Sequence, residues 1–377
     1  MNRKNIILLW LISFLQGTVF YASASTIYRL SRGLTMGQFG FISGILSISI
    51  LILEVPSGIL SDRIGHKKTI LISTCILAIA KTIFYLADSF SLFLIEAVLE
   101  AVSAAGMSGT FSALMYESAG ENKEKAFGVS AACGSAGLLT AALCFTLFFS
   151  ENLNGAASAT AVTHVIAFVI AVFLDDAKTE EDTKKNESVK ELFSEILHHK
   201  SILLFIAGTA LFMEPIHTVV TFYNQLQYER AGIPMKWFGI LYCLMTVLSL
   251  SSAMLDRMIE HTGRKKLFTI LFVIGISIPL LLITTDNVIP SIILLALLAL
   301  SESLFAPLYD LTANDAVSTS SRASMLSIFS LFANILYALT DFTMGLAADV
   351  SLSAAYALTA VFALTGMILV YLYFRQN

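Results

Sequence analysis

Six carboxylates, Glu54, Glu96, Glu100, Glu214, Glu302 and Asp341, interrupt long apolar runs in this 377-residue sequence. An ionised group at the centre of a membrane helix costs about 2.5–3.5 kcal/mol on insertion scales, so its presence there points to a task. Burial favours the neutral form, which lets a carboxyl take up a proton near neutral pH. Within the same runs only Lys81 opposes these acids, with His164 and His217 as further partners. The excess of acid fits protons or cationic substrates rather than anions. Other chemistries lack their residues. The four cysteines, Cys75, Cys133, Cys144 and Cys243, show no CxxC spacing and read as small core residues. No metal-ligand cluster, nucleophile–base set or GxxxxGK[ST] loop is present. No enzyme activity, cofactor, metal or nucleotide-driven pumping is expected.

The elements that carry these acids follow from composition. Hydrophobic residues make up 56% and charged residues 13%, with a mean hydropathy of +0.79. Soluble domains carry about 45–50% apolar and about 25% charged residues. A soluble enzyme, a disordered chain and a nucleic-acid binder are therefore excluded. Apolar blocks long enough to cross a bilayer predict helices at 5–28, 36–60, 69–87, 90–116, 127–149, 155–174, 201–223, 237–255, 267–285, 288–310, 323–345 and 353–374. Lipid offers no partner for free backbone groups, so these spans must be helical. The runs are continuous rather than alternating, which argues against a barrel. The opening MNRKN and its apolar run read as the first span rather than a cleavable leader.

The 23 Lys and Arg set the sidedness. If the N-terminus is cytoplasmic, only Arg29, Arg32, Arg230 and Lys236 lie outside, Lys81 lies within a span, and all the others lie inside. That bias predicts an even number of spans with both termini cytoplasmic. The one long polar stretch, 175–200, holds eight acids and five Lys. Its second part places Val189, Leu192, Phe193, Ile196 and Leu197 at helical spacing behind a Ser188/Glu191 capping box, which predicts a helix on the membrane surface. Residues 1–174 and 201–377 then form two six-helix halves. They repeat one another: Asp62-Arg63 matches Asp256-Arg257, Gly65-His66-Lys67-Lys68 matches Gly263-Arg264-Lys265-Lys266, ALMYE ending at Glu117 matches APLYD ending at Asp310, and Lys125-Ala126 matches Arg322-Ala323. Paired repeats with a pathway between them are a transporter architecture.

GILSDRIGHKK, Gly58–Lys68, resembles the signature G-x-L-A-D-R-x-G-R-K of the major facilitator superfamily, with Ser61 in place of Ala and His66 in place of a basic residue. EVPSG (Glu54–Gly58), SGTFSALMYES (Ser108–Ser118) and RASMLS (Arg322–Ser327) resemble a bacterial branch of drug-type exporters. The resemblance implies an all-α fold of twelve spans in two pseudo-symmetric halves, working by alternating access in the bacterial inner membrane. It implies proton-coupled export of a small amphipathic or cationic compound. The alternatives are a proton-coupled importer of a metabolite and a membrane receptor with the same fold. Span five, AFGVSAACGSAG, lacks the Gly-Pro motif of drug–proton antiporters, and span four lacks the Arg often found there. Expected partners are a small-molecule substrate, protons and the lipid bilayer, without nucleic acid, for a chain acting as a monomer.

The resemblance also implies that spans one, four, seven and ten line the cavity. Candidates there are Gln16 and Tyr21 on span one, Glu96 and Glu100 one turn apart on span four, Glu214 and His217 on span seven, and Glu302 on span ten. Glu100 and Glu214, near the midplane, are the expected proton sites, while a Lys81–carboxylate or Glu–His pair holding helices together is the plainer reading. Asp341 is expected near the outer end of its span, hydrated. The signature loop is expected to act as a conformational latch built from Gly58, Asp62, Arg63, Gly65 and Lys67. In it Asp62 faces the start of span eleven at Arg322, Arg63 pairs with Glu117, and Glu54, Asp256, Arg257 and Asp310 play gating or repeat-related parts.

Overall fold

The computed structural model describes residues 2–176, 200–316 and 322–376. The predicted surface helix of the 175–200 segment lies outside the described residues. Among the described residues, twelve helices are long and apolar enough to cross a membrane. They are α1 (Arg3–Ser31), α2 (Met36–Ile64), α3 (His66–Leu86), α4 (Phe90–Ala119), α5 (Lys123–Phe149), α6 (Leu153–Val172), α7 (Ser201–Arg230), α8 (Met235–Thr262), α9 (Arg264–Ile283), α10 (Val288–Ala316), α11 (Arg322–Val350) and α12 (Leu352–Gln376). The fold is an all-α, multi-pass membrane architecture.

Several helices outrun their apolar blocks. Ser61, Asp62 and Arg63 continue α2, because a helical backbone bonds itself whatever its side chains. The stop comes at Gly65, whose φ of 93° and ψ of 149° suit glycine alone. Gly263, with φ 79° and ψ 148°, does the same between α8 and α9. Other helices are locally irregular. α1 breaks between Gly17 and Ala22, with the Thr18 hydroxyl donating to the Leu15 carbonyl at 2.6 Å. α7 carries Pro215 and then a π turn at Val219–Tyr223. Proline removes one ladder donor, and π turns gather at functional positions.

The chain forms two compact units. The first holds Met1–Leu34, Ile45–Asp182 and Met235–Cys243; the second holds Thr35–Gly44, Thr183–Pro234 and Leu244–Asn377. Apolar side chains gain little by leaving lipid, so close backbone approach drives packing between the helices. In the first unit Gly17 of α1 abuts the Gly134 backbone of α5, and Gly137 abuts the Phe14 carbonyl. In the second, Gly208 of α7 meets Gly366 of α12. One end of the first unit is filled by Ile6, Leu9, Ile12, Ile70, Leu114 and Met115. There the Lys4 ammonium donates to Asp175 at 2.7 Å and holds that carboxyl below its ordinary range. In the second unit the Asp349 carboxylate accepts from the N–H groups of Met36 and Gly37, at 2.6 and 2.9 Å, satisfying orphan donors at the start of α2.

The two glycines of α5 separate packing from propensity. A Cβ on Gly137 would overlap the Phe14 carbonyl, whereas one on Gly128 meets nothing within 4 Å. Gly137→Ala is expected to lower stability by about 1–3 kcal/mol through overpacking. Gly128→Ala is expected to be neutral or to add up to about 1 kcal/mol through helix propensity. Thermal unfolding of the detergent-solubilised variants distinguishes the two; equal losses would contradict the assigned α1–α5 contact.

Candidate functional site

Each unit buries its own polar cluster. In the first, Glu96 and Glu100 stand one turn apart on α4, so both carboxylates share a face. Lys81 of α3 reaches both, with its Nζ 3.0 Å from Glu96 Oε1 and 2.6 Å from Glu100 Oε2. Exposure separates the two acids: Lys81 and Glu96 are 5% and 1% exposed, while Glu100 is 33% exposed. Two carboxylates for one ammonium leave a net negative charge with one open side, at Glu100. Aromatic rings close the rest. Tyr21 stacks on Phe84 at 4.1 Å and Tyr28 does so at 5.0 Å. The Arg29 guanidinium lies 4.9 Å from the Phe84 ring centre. His164 is buried on α6 and donates from Nδ1 to the Thr160 carbonyl at 2.8 Å, which fixes its tautomer. Gln16 is half-buried on α1, with no hydrogen-bond partner among the described residues.

In the second unit α7, α10 and α11 bring four ionisable groups together. His217 Nδ1 is 2.7 Å from Glu302 Oε1. The Thr218 hydroxyl donates to Asp341 at 3.0 Å. Glu214, four residues before Thr218 on α7, shares a face with it and interacts electrostatically with Asp341. Two carboxylates brought together in an apolar interior repel each other unless one of them takes up a proton. His217 is 45% exposed and Glu302 26%, whereas Asp341 is 6% exposed. The cluster therefore runs from an accessible His–Glu pair, past half-buried Glu214, to buried Asp341. Among the described residues no three His, Cys, Asp or Glu side chains gather to hold a metal ion.

Asp341 corrects the sequence expectation of a hydrated position near the outer end. α11 continues nine residues beyond it, to Val350, or about 13 Å at 1.5 Å per residue, which moves Asp341 deep into the span. The plainer reading of paired charges holds for both Lys81 and His217, and Glu100, an expected proton site, is occupied by Lys81.

The signature loop also differs from expectation. Glu117 is met by His66, whose Nε2 is 3.4 Å from Glu117 Oε1, not by Arg63. The two departures from the signature bond each other: Ser61 Oγ is 3.0 Å from His66 Nδ1, and Thr110 donates to Ser61 at 3.0 Å. With the proton on Nε2, a chain of donors runs Thr110, Ser61, His66, Glu117. Those two substitutions were the available signal for this network. Glu54 accepts from Ser108 at 3.2 Å beside a cavity of 380 Å³ that Gly58, Asp62 and His66 also line. Asp62 and Arg63 are exposed, and Lys67 is half-buried. The side chain of Arg322, the expected neighbour of Asp62, lies outside the described residues. In the second repeat Asp256, Arg257 and Asp310 are exposed, and Arg264, the counterpart of His66, pairs with Asp315 at 2.5 Å. Both units thus tie the start of their third repeat helix to the end of the fourth.

The sequence model of the Major Facilitator Superfamily matches residues 6–339. An uncharacterized MFS-type transporter, YxaM of Bacillus subtilis (strain 168), is 24% identical over 229 residues, 58% of this chain and 57% of that protein. The chain thus matches little more than half the length of this relative. Two solved structures share the fold. The nucleoside transporter NupG has a TM-score of 0.80 at 17% identity, covering 100% of this chain and 99% of that one. A bacterial homolog of the human lysosomal transporter Spinster, inward-facing and unoccupied, has a TM-score of 0.73 at 14% identity, covering 98% and 95%. These relatives are transporters, not enzymes.

Removing one member of a buried ion pair strands its partner, at a cost of up to about 3–5 kcal/mol. Lys81→Met is therefore expected to destabilise the protein by that order. Adding Glu96→Gln and Glu100→Gln to Lys81→Met is expected to restore most of the loss. Unfolding midpoints in detergent measure both; a Lys81→Met protein as stable as wild type would mean that the triad carries no uncompensated charge.

Proposed function

The chain belongs to the Major Facilitator Superfamily, and from that premise we propose that it is a proton-coupled secondary transporter exporting a small amphipathic or cationic compound by alternating access. The observation that carries this reading is the gathering of Glu214 and Asp341 with the Thr218 hydroxyl and the His217–Glu302 pair in one cluster. One proton neutralises half of the acid pair. An incoming cation stabilises both acids in ionised form, so binding it expels the proton. Proton and cation then compete for one site, which is the requirement for antiport. His217 is the accessible member and supplies the route by which the proton reaches water. Thr218 holds Asp341 in place through either protonation state, since a hydroxyl donates to both.

The first unit holds an acid with an open side of its own. Glu96 keeps the Lys81 ammonium in the apolar interior, so Glu100 is free to exchange that partner for a substrate cation. Glu100 thus becomes a substrate contact, and the proton site is assigned to Glu214–Asp341. The rings of Tyr21 and Phe84, 4% and 0% exposed, close off the other sides of Lys81 and leave Glu100 as the accessible edge of the triad. The lopsided distribution of Lys and Arg supports an orientation with both termini cytoplasmic in the bacterial inner membrane.

Proteoliposomes enclosing a pH-sensitive dye test the assignment, with tetraphenylphosphonium as the cation and uridine as a nucleoside probe chosen after the printed substrate class of NupG. The expected result is proton flux against tetraphenylphosphonium in wild type, reduced to the level of empty vesicles by Asp341→Asn or Glu214→Gln in folded protein. Uridine moving in the same direction as protons would replace export of cations by import. Proton-coupled flux undiminished in both variants would refute the proton site.

A further inference from the structure

A groove of 570 Å³ opens on the surface of the second unit between α9 and α12. Its floor is apolar and aromatic, with Phe268 and Phe272 each 1% exposed and Val370 2% exposed. Its mouth carries Lys265, Lys266 and Arg375. Both helices end at this mouth, α9 beginning at Arg264 and α12 finishing at Gln376. From Lys265 to Phe272 the groove descends seven residues, about 10 Å along the helix. The Lys265 ammonium bridges the two helices: it donates to the Phe374 carbonyl at 3.1 Å and lies 5.2 Å from the centre of that ring. Among the described residues none of the three cations has a carboxylate partner, unlike the neighbouring Arg264, which pairs with Asp315.

We propose that this groove is a binding site for one anionic glycerophospholipid, with the phosphate at Lys265, Lys266 and Arg375 and an acyl chain along Phe268, Phe272 and Val370. The charge arrangement selects the occupant. Three uncompensated cations at the membrane surface attract an anionic headgroup. An apolar trench leading from them toward the bilayer centre fits the chain attached to that headgroup. A volume within the roughly 300–1,000 Å³ of small-ligand pockets lets the trench hold a chain rather than merely touch one. The mouth lies apart from Glu214, His217, Glu302 and Asp341, so the site is independent of the transport reading.

Native mass spectrometry of the full chain in detergent, titrated with phosphatidylglycerol or phosphatidylcholine of identical acyl chains, tests the proposal. Wild type is expected to prefer phosphatidylglycerol by at least about tenfold. The preference is expected to vanish in Lys265→Gln/Lys266→Gln/Arg375→Gln. It is also expected to vanish in Ile368→Trp, which fills the groove and leaves all three cations in place. If the triple variant does not fold, Ile368→Trp alone decides. Equal binding of both lipids by wild type, or a preference retained in either folded variant, overturns the proposal. So does displacement of the lipid by soluble glycerol phosphate, which would make the site one for free anions.

Discussion

The Lys81 ammonium lies between Glu96 and Glu100, and a charge held in an apolar interior must be matched by another or given a proton. That constraint orders the polar interior of the whole molecule. In the first unit it is met by a lysine on α3 reaching two acids one turn apart on α4. Their i, i+4 spacing gives the lysine a fork, and the stacked Tyr21, Tyr28 and Phe84 close the space around it. In the second unit, among the described residues, no lysine pairs with the cluster. A histidine meets one acid, and the Thr218 hydroxyl meets Asp341 beside Glu214.

The two units therefore solve one problem in different ways, although their chains repeat. A permanent ammonium makes the first cluster fixed in charge, with Glu100 as its one accessible edge. In the proposed cycle, a histidine and a proton taken up by Glu214 or Asp341 make the second cluster variable in charge. The proposed alternating access uses both qualities: a scaffold that stays folded through the cycle and a site whose charge changes between the two sides. The units also differ at the signature loop, where Arg264 meets Asp315 in the second unit, while the first uses His66 in a chain with Ser61 and Glu117. With Ser61 and His66 in the signature, the contact in the first unit is a hydrogen-bonded chain from Thr110 to Glu117.

Much of this was readable in the residues. Length and hydropathy locate all twelve helices, because continuous apolar runs in lipid have no alternative to the helix. The isolated Lys81 among acids already pointed to a carboxylate partner, and the four-residue spacing of Glu96 and Glu100 to a shared face. What eluded the sequence was depth. The apolar block of span eleven ends before Val350, so Asp341 looked peripheral, whereas the helix continues through Ala347, Ala348 and Asp349. Helix ends are set by backbone and caps rather than by hydropathy. Arg63 and Glu117 looked like partners because both are charged and near the same loop. Gly65 turns the chain so that His66, at the first position of α3, arrives at Glu117 instead. Pairings across helices depend on such turns, which a single sequence records only as a glycine.

The central claim, a proton shared between Glu214 and Asp341, is tested most directly by infrared difference spectroscopy of the reconstituted protein at neutral pH. The account predicts the stretching band of a protonated carboxyl in wild type, lost in Glu214→Gln and in Asp341→Asn. A wild-type spectrum without a protonated carboxyl, or a band unchanged in both variants, would contradict it.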